Sequence, residues 1–287
     1  MKRSVGAGPA EAWVQIVNVG FDGPSVKIPL LGLGVYQVPV EATMQAVSLA
    51  LQHGYRHIDT AHIYGNERAV GLGVKNSGIP REEVFITTKL WDSDQGYQNT
   101  LEAFNQSLKE LGVDYVDLYL VHTPSQKNLR LQTWEAMEAI LKSGKAKSIG
   151  VSNYGIHHLK ELFAHSKIKP SINQLEIHPF NTKTELVQFC EKENIVLEAY
   201  SPLTRGQRLD HPTVVEIAKH YVKSPAQILL RWALQKNFVV LPKSINPLRV
   251  VENAQVFNFE ISSSDMANLD SLNENLVTVG WDPTIEP

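Results

Sequence analysis

The sequence predicts an α/β protein built as a (β/α)8 barrel, with an N-terminal β-hairpin before it and a short C-terminal helix and tail after it. Three observations carry that expectation. Short apolar or β-branched runs alternate with longer segments of helical period along the 287 residues, the pattern of parallel strands joined by helices. Eight such runs can be counted, at 28–33, 57–59, 84–89, 116–122, 148–152, 171–174, 196–200 and 239–242, and eight is the number a closed barrel of this length needs. The rival, an open doubly wound sheet, usually carries G-x-G-x-x-G after its first strand. Here Gly32-Leu33-Gly34-Val35-Tyr36-Gln37 and Gly71-Leu72-Gly73-Val74-Lys75-Asn76 both lack the third glycine.

Taken in order, residues 1–12 combine two basic residues with Gly, Pro and Glu and have no apolar core, so a flexible tail is expected rather than a signal peptide. Residues 14–19 and 25–27 form the hairpin, joined through Gly20-Phe21-Asp22-Gly23-Pro24, a turn-favouring composition. The helix at 43–53 sets Met44, Val47 and Leu51 on one stripe, widened by Ala46 and Ala50. Leu101, Phe104, Leu108 and Leu111 make the stripe of 101–111, and Trp134, Met137 and Leu141 that of 131–143. Ser224-Pro225-Ala226-Gln227 reads as a capping box with proline in the first turn. Ser262 and Asp265 open a last short helix through Met266, Leu269 and Leu272. No linker or repeat interrupts the alternation, so 1–287 is expected to be a single domain.

Composition narrows the function classes. A net charge of −3 and a pI near 6.4 give no electrostatic case for nucleic acid or an anionic membrane. No run approaches the length of a membrane span. The lone Cys190 excludes an intramolecular disulfide and suits a reducing compartment; among Leu186, Val187 and Phe189 it reads as a packed core thiol. A cytoplasmic monomer is expected.

Barrel enzymes carry their chemistry at the C-terminal ends of the strands. From the second run on, those ends are Asp59, Lys89, His122, Ser152-Asn153, Gln174, Tyr200-Ser201 and Lys243-Ser244, with Tyr64 in the loop after Asp59. A phenol is a poor acid at pH 7, and a lysine beside it would lower its pKa. Asp59 would hold that lysine, and His122 could orient a carbonyl. Such a set can protonate a carbonyl oxygen while hydride reaches the carbon, but it cannot supply the hydride, so a nicotinamide cofactor is implied. The run from Leu241 to Arg249 offers Lys243, Ser244, Arg249 and a helix start with Pro247, a set suited to phosphate. Two cations favour a 2′-phosphate, hence NADPH/NADP+ over NAD. A metal-dependent barrel hydrolase using His57, Asp59, His62, His122 and His178 is the weaker alternative, since no H-x-H or H-E-x-x-H occurs.

At this point the chain resembles the aldo-keto reductase family over nearly its whole length. Three ordered stretches carry the resemblance: Gly54 to Ala61 with Glu67 and Val70-Gly71; Lys147 to Tyr154; and Leu241 to Arg249 with Glu252-Asn253. The resemblance implies that Tyr64 is the general acid, with Lys89, Asp59 and His122 as its partners. It implies that Ser152, Asn153 and Gln174 hold the nicotinamide carboxamide, Tyr200 stacks on the ring, and Ser201 and Leu203 approach the pyrophosphate. Lys243, Ser244 and Arg249 would take the 2′-phosphate, and Glu252 and Asn253 the adenine. The substrate would be a small carbonyl compound; from their own positions, each just past a strand end, Tyr36 and Trp91 are expected as apolar pocket walls. Three features depart from the family. Thr123 stands where members often have tryptophan, the loops 123–131 and 204–212 are short, and the end at 279–287 lacks a longer substrate loop. Barrels of this kind also serve as NADP(H)-binding channel subunits or structural proteins, the non-catalytic alternative.

Overall fold

Eight parallel strands form a sheet whose first and last members meet. The computed structural model describes residues 14–18 and 25–287. The strands are β3 (Leu33–Gly34), β4 (His57–Asp59), β5 (Phe85–Leu90), β6 (Val116–Val121), β7 (Ala146–Ser152), β8 (Ile172–Glu176), β9 (Val196–Tyr200) and β10 (Val239–Leu241), hydrogen-bonded in sequence order. A bridge between Leu31 and Val240 closes the ring, with Gly32 N–H donating to the Val240 carbonyl at 2.9 Å and Gly34 N–H to that of Pro242 at 3.1 Å. The expected (β/α)8 barrel is present.

The run at 28–33 proves to be two things. Ile28 and Pro29 belong to β2 (Ser25–Pro29), which pairs antiparallel with β1 (Val14–Asn18) in the hairpin. Only from Leu30 onward does the chain join the barrel. The expected tail at 1–12 and the hairpin turn lie outside the described residues.

The helices between strands are α1 (Val40–Gln52), α2 (Glu67–Ser77), α3 (Tyr97–Leu111), α4 (Arg130–Lys142), α5 (Ile156–His165) and α6 (Thr184–Lys192). α7 (Pro212–Tyr221) and α8 (Pro225–Gln235) follow β9, and α9 (Pro247–Ala254) and α10 (Ser263–Asp270) follow β10. The capping box is formed, with Ser224 Oγ accepting from Gln227 N and the Gln227 side chain accepting from Ser224 N. Ser262 caps α10 as its spacing predicts. Cys190 is fully buried, and burial pushes its thiol up to about 12. No helix among the described residues is long and apolar enough to cross a membrane.

The second near-miss glycine motif has a packing explanation. A Cβ on Gly71 would lie 1.9 Å from the Leu111 carbonyl oxygen, and one on Gly73 2.8 Å from that of Met44. These glycines let α2 sit against α1 and the end of α3.

Period-two alternation then sorts the barrel interior into layers. Phe85, Leu118, Ile172 and Val239 form an apolar cluster with Ile28 of the hairpin, and Leu120 and Leu241 carry it up to the level of Lys89 and Tyr200. Side chains further along the same faces are polar: Asp59 and His57 on β4, Thr87 and Lys89 on β5, Gln174 on β8, Glu198 and Tyr200 on β9. The apolar end supports a buried polar layer at the C-terminal mouth.

Candidate active site

The polar layer centres on one ion pair. Lys89 is wholly buried, and its Nζ donates to both Asp59 oxygens, at 2.7 and 2.8 Å, and to the Thr60 carbonyl at 2.9 Å. All three ammonium hydrogens are therefore used, and a buried lysine can keep its charge only under such conditions. Gln174 Nε2 donates to Asp59 Oδ2 at 2.9 Å, which brings β8 to the same carboxylate.

Tyr64 follows in a 3-10 turn, His62–Tyr64, ended by Gly65 in the left-handed region. Its ring lies 5.2 Å from Lys89 Nζ, 5.7 Å from the His122 ring and 5.0 Å from the Tyr36 ring, centre to centre for the rings. Trp91 meets His122 edge-on at 5.0 Å. The expectation that Lys89 lowers the Tyr64 pKa is corrected here. Burial first, then Asp59 and Tyr36, push the phenol well above its usual 10. The main reason is burial, which penalises a phenolate more than a phenol, and the nearby Asp59 carboxylate adds to it. Tyr64 is a protonated donor throughout the physiological range. His122 is driven well below its usual value, by burial and then by Lys89, and is a neutral imidazole.

A second set converges from the next strands. Ser152 Oγ donates to the Gln174 carbonyl at 2.9 Å, and Asn153, in the left-handed region at φ 63°, donates from Nδ2 to the His122 carbonyl at 3.0 Å. The Tyr200 hydroxyl donates to Asn153 Oδ1 at 2.9 Å. These bonds lock the side chains that face the opening.

At the far end, Lys243 and Arg249 are exposed and Ser244 half-buried. None of the described ion pairs uses either cation. The helix start contributes less than expected, because Asn246 Oδ1 already accepts from the N–H groups of Leu248 and Arg249. An anion there would meet the side chains of Lys243, Ser244 and Arg249. Glu252 is tied to Ser224, whose hydroxyl donates to its carboxylate, and Asn253 is buried beside it.

One elongated cavity of about 920 Å³ joins these parts. Tyr36, Asp59, Tyr64, Trp91, His122, Ser152, Asn153, Gln174, Tyr200, Ser201, Leu203, Lys243, Ser244, Arg249, Glu252 and Asn253 all line it. Lys89 alone of the sequence-derived site residues does not; it stands behind Asp59. The other histidines disperse: His57 hydrogen-bonds Thr87, His62 pairs with Glu67 and His178 with Glu176.

Several lining groups escaped the reading by strand ends. Val279, Trp281 and Pro283 of the C-terminal segment form one wall. Arg205 reaches across the opening to donate to Gln37 Oε1 at 2.8 Å, both residues having positive φ. No periodic signal marks such loops. Glu198 was also missed, although its place two residues before Tyr200 puts it on the same strand face.

A family model described as "Aldo/keto reductase family" matches residues 30–274, which include both the ion-pair layer and the cationic end. The chain belongs to the aldo/keto reductase family. This aldo/keto reductase is 50% identical over 252 residues to the glyoxal reductase of Bacillus subtilis, covering 87% of this chain and 91% of that protein. It is 48% identical over 263 residues to the 9,11-endoperoxide prostaglandin H2 reductase of Trypanosoma cruzi, covering 90% and 92%. Among solved structures it is similar to the Bombyx mori aldo-keto reductase in complex with NADP. That match has a TM-score of 0.84 and 36% identity, over 91% of this chain and 94% of the other. Membership makes the chain an oxidoreductase of the carbonyl-reducing type.

Proposed function

We propose that this aldo/keto reductase reduces small aldehydes and ketones to alcohols with NADPH, using Tyr64 as the general acid. The observation that supports the reading most is the single cavity joining Tyr64 and His122 at one end to two uncommitted cations at the other. The residues also fit the cofactor by their own chemistry. No described donor reaches Gln174 Oε1, Tyr200 offers a ring face beside it, and Lys243 and Arg249 suit a phosphomonoester. The NADP complex of the Bombyx mori relative agrees with this assignment.

When bound, the reduced nicotinamide supplies hydride to the carbonyl carbon. His122, neutral and edge-packed on Trp91, donates an N–H to the carbonyl oxygen and orients it without adding a charge. Tyr64 gives its proton to the same oxygen as negative charge builds there. Its raised pKa keeps the proton available, and an alkoxide is a far stronger base than a phenolate. The phenolate left behind faces Lys89 5.2 Å from the ring, so the lysine stabilises the product of proton transfer more than the resting phenol. Asp59 and the Thr60 carbonyl hold the ammonium in that position. Tyr36 and Trp91 give the substrate an apolar wall. Thr123, committed to Asp92 through Oγ1 at 2.7 Å, lines the same cavity beside His122.

The test is NADPH fluorescence quenching followed by turnover with a panel of sugar, lipid, dicarbonyl and aromatic aldehydes. Quenching with aldehyde-dependent NADPH oxidation is expected. Quenching without oxidation by any aldehyde would favour a cofactor-binding, non-catalytic barrel.

A further inference from the structure

Beneath the proposed site lies a carboxyl group that the mechanism above does not use. Glu198, on β9, is fully buried. Its Oε2 accepts from Gln174 Nε2 at 2.9 Å, and the same Nε2 donates to Asp59 Oδ2 at 2.9 Å. Both amide hydrogens of Gln174 are thus taken. A flipped amide would set its oxygen against the ionised Asp59, so the two acids fix the orientation, and only Gln174 Oε1 is left to face the cavity. Among the described residues, Gln174 touches the ion pair, the buried acid and the cavity together.

We infer that Glu198 is a positioning residue for the cofactor's carboxamide: with Asp59 it commits Gln174 to present a hydrogen-bond acceptor, and thereby selects an amide N–H donor on the bound ring. The inference rests on the cofactor reading above and adds to it a residue that touches neither substrate nor cofactor. It also assigns the Glu198 proton. The titratable groups facing Glu198 are His57 and Asp59 from β4 and Lys89 from β5; Gln174 faces it from β8, and β10 contributes Val239 and Leu241. Its Oε1 has no hydrogen-bond partner and lies 4.0 Å from His57 Nε2. Burial, and next the Asp59 charge, push the Glu198 carboxyl up to about 8. His57 is pushed down to about 3, chiefly by burial, so it offers no compensating cation. Protonated on Oε1, Glu198 leaves one carboxylate against one ammonium. Ionised, it leaves two, and the lysine charge that the Tyr64 phenolate needs is outweighed.

Two measurements test this. Binding of NADP+ is compared with that of its 3-acetylpyridine analogue, which keeps the ring carbonyl but lacks the amide N–H. The wild type should prefer NADP+ by roughly threefold to tenfold, the range for one hydrogen bond. Glu198→Gln should keep that ratio, and Glu198→Leu, which leaves Asp59 alone to hold the amide, should lower it. The pH profile of kcat/KM is measured alongside. The wild-type profile should fall as pH rises through about 8, and the Glu198→Gln profile should lose that fall. A wild-type ratio of one with both nucleotides bound tightly would overturn the inference and leave the cofactor reading intact. So would a Glu198→Leu ratio equal to the wild type's, or superimposable profiles for the wild type and Glu198→Gln. Binding of neither nucleotide would overturn both readings. The wild-type ratio and the Gln variant keep the test decisive should the Leu variant fail to fold.

Discussion

Lys89 has no accessible surface, yet it determines how the residues around it behave. Removing one partner of a buried ion pair leaves an uncompensated charge, which costs about 3–5 kcal/mol in other proteins, so Asp59 and Lys89 are tied to each other before either serves the chemistry. At the opposite end of the cavity Lys243 and Arg249 are exposed and carry no such structural duty. Replacing either with alanine should therefore weaken NADPH binding about tenfold or more, a charged hydrogen bond contributing roughly 1.5–3 kcal/mol, while NADH binding changes little. Titrating both nucleotides against each variant checks this, and equal losses would remove the 2′-phosphate from that position. Strand ends made most of these residues legible, because the last inward side chain of each strand must face the mouth. The sign of the Tyr64 pKa was not legible. It depends first on how deeply the phenol is buried and then on Asp59 lying near it, and spacing shows neither. Glu198 was hidden differently: reading only the final residue of each strand skips the carboxyl one inward step deeper.

At the level of elements, alternation and caps carried far. Ser224 and Ser262 sit where their spacing put them, because a cap is a local contract between a side chain and nearby N–H groups. The run at 28–33 failed because β2 and the start of the barrel are both apolar and continuous, and an unbroken run does not reveal a change of partner. Gly71 illustrates the reverse case, a motif-like residue whose role is packing. Alanine there would drive a methyl group into the Leu111 carbonyl, well inside contact distance. Overpacking of this kind costs about 1–3 kcal/mol, and each kcal/mol lowers Tm by roughly 2–4 °C in domains of this size class. Gly71→Ala should accordingly lose at least about 2 °C by calorimetry. An unchanged Tm would mean that α2 and α3 are not in such close contact.

For the molecule as a whole, the barrel interior grades from an apolar end, through a buried polar layer, to an open cavity. That gradient follows from strand parity, and it explains why charged side chains can be held dry and rigid directly beneath a solvent-reaching cleft. The loops that set substrate preference obey no such parity. The wall formed by Val279, Trp281 and Pro283 is fixed by long-range contacts such as Lys183 with Asp282 and Thr278 with Glu176, between residues about 100 positions apart. Short-range patterns could not announce it. The central claim is that this architecture exists to deliver one proton from Tyr64 while hydride arrives from the cofactor. Its most direct test is single-turnover NADPH oxidation by Tyr64→Phe beside the wild type, with NADPH affinity measured on the same samples. The account predicts that the variant binds NADPH as the wild type does and loses turnover by about 100-fold or more, the contribution general acid catalysis typically makes. A variant that binds NADPH equally and still reduces aldehydes at the wild-type rate would contradict it.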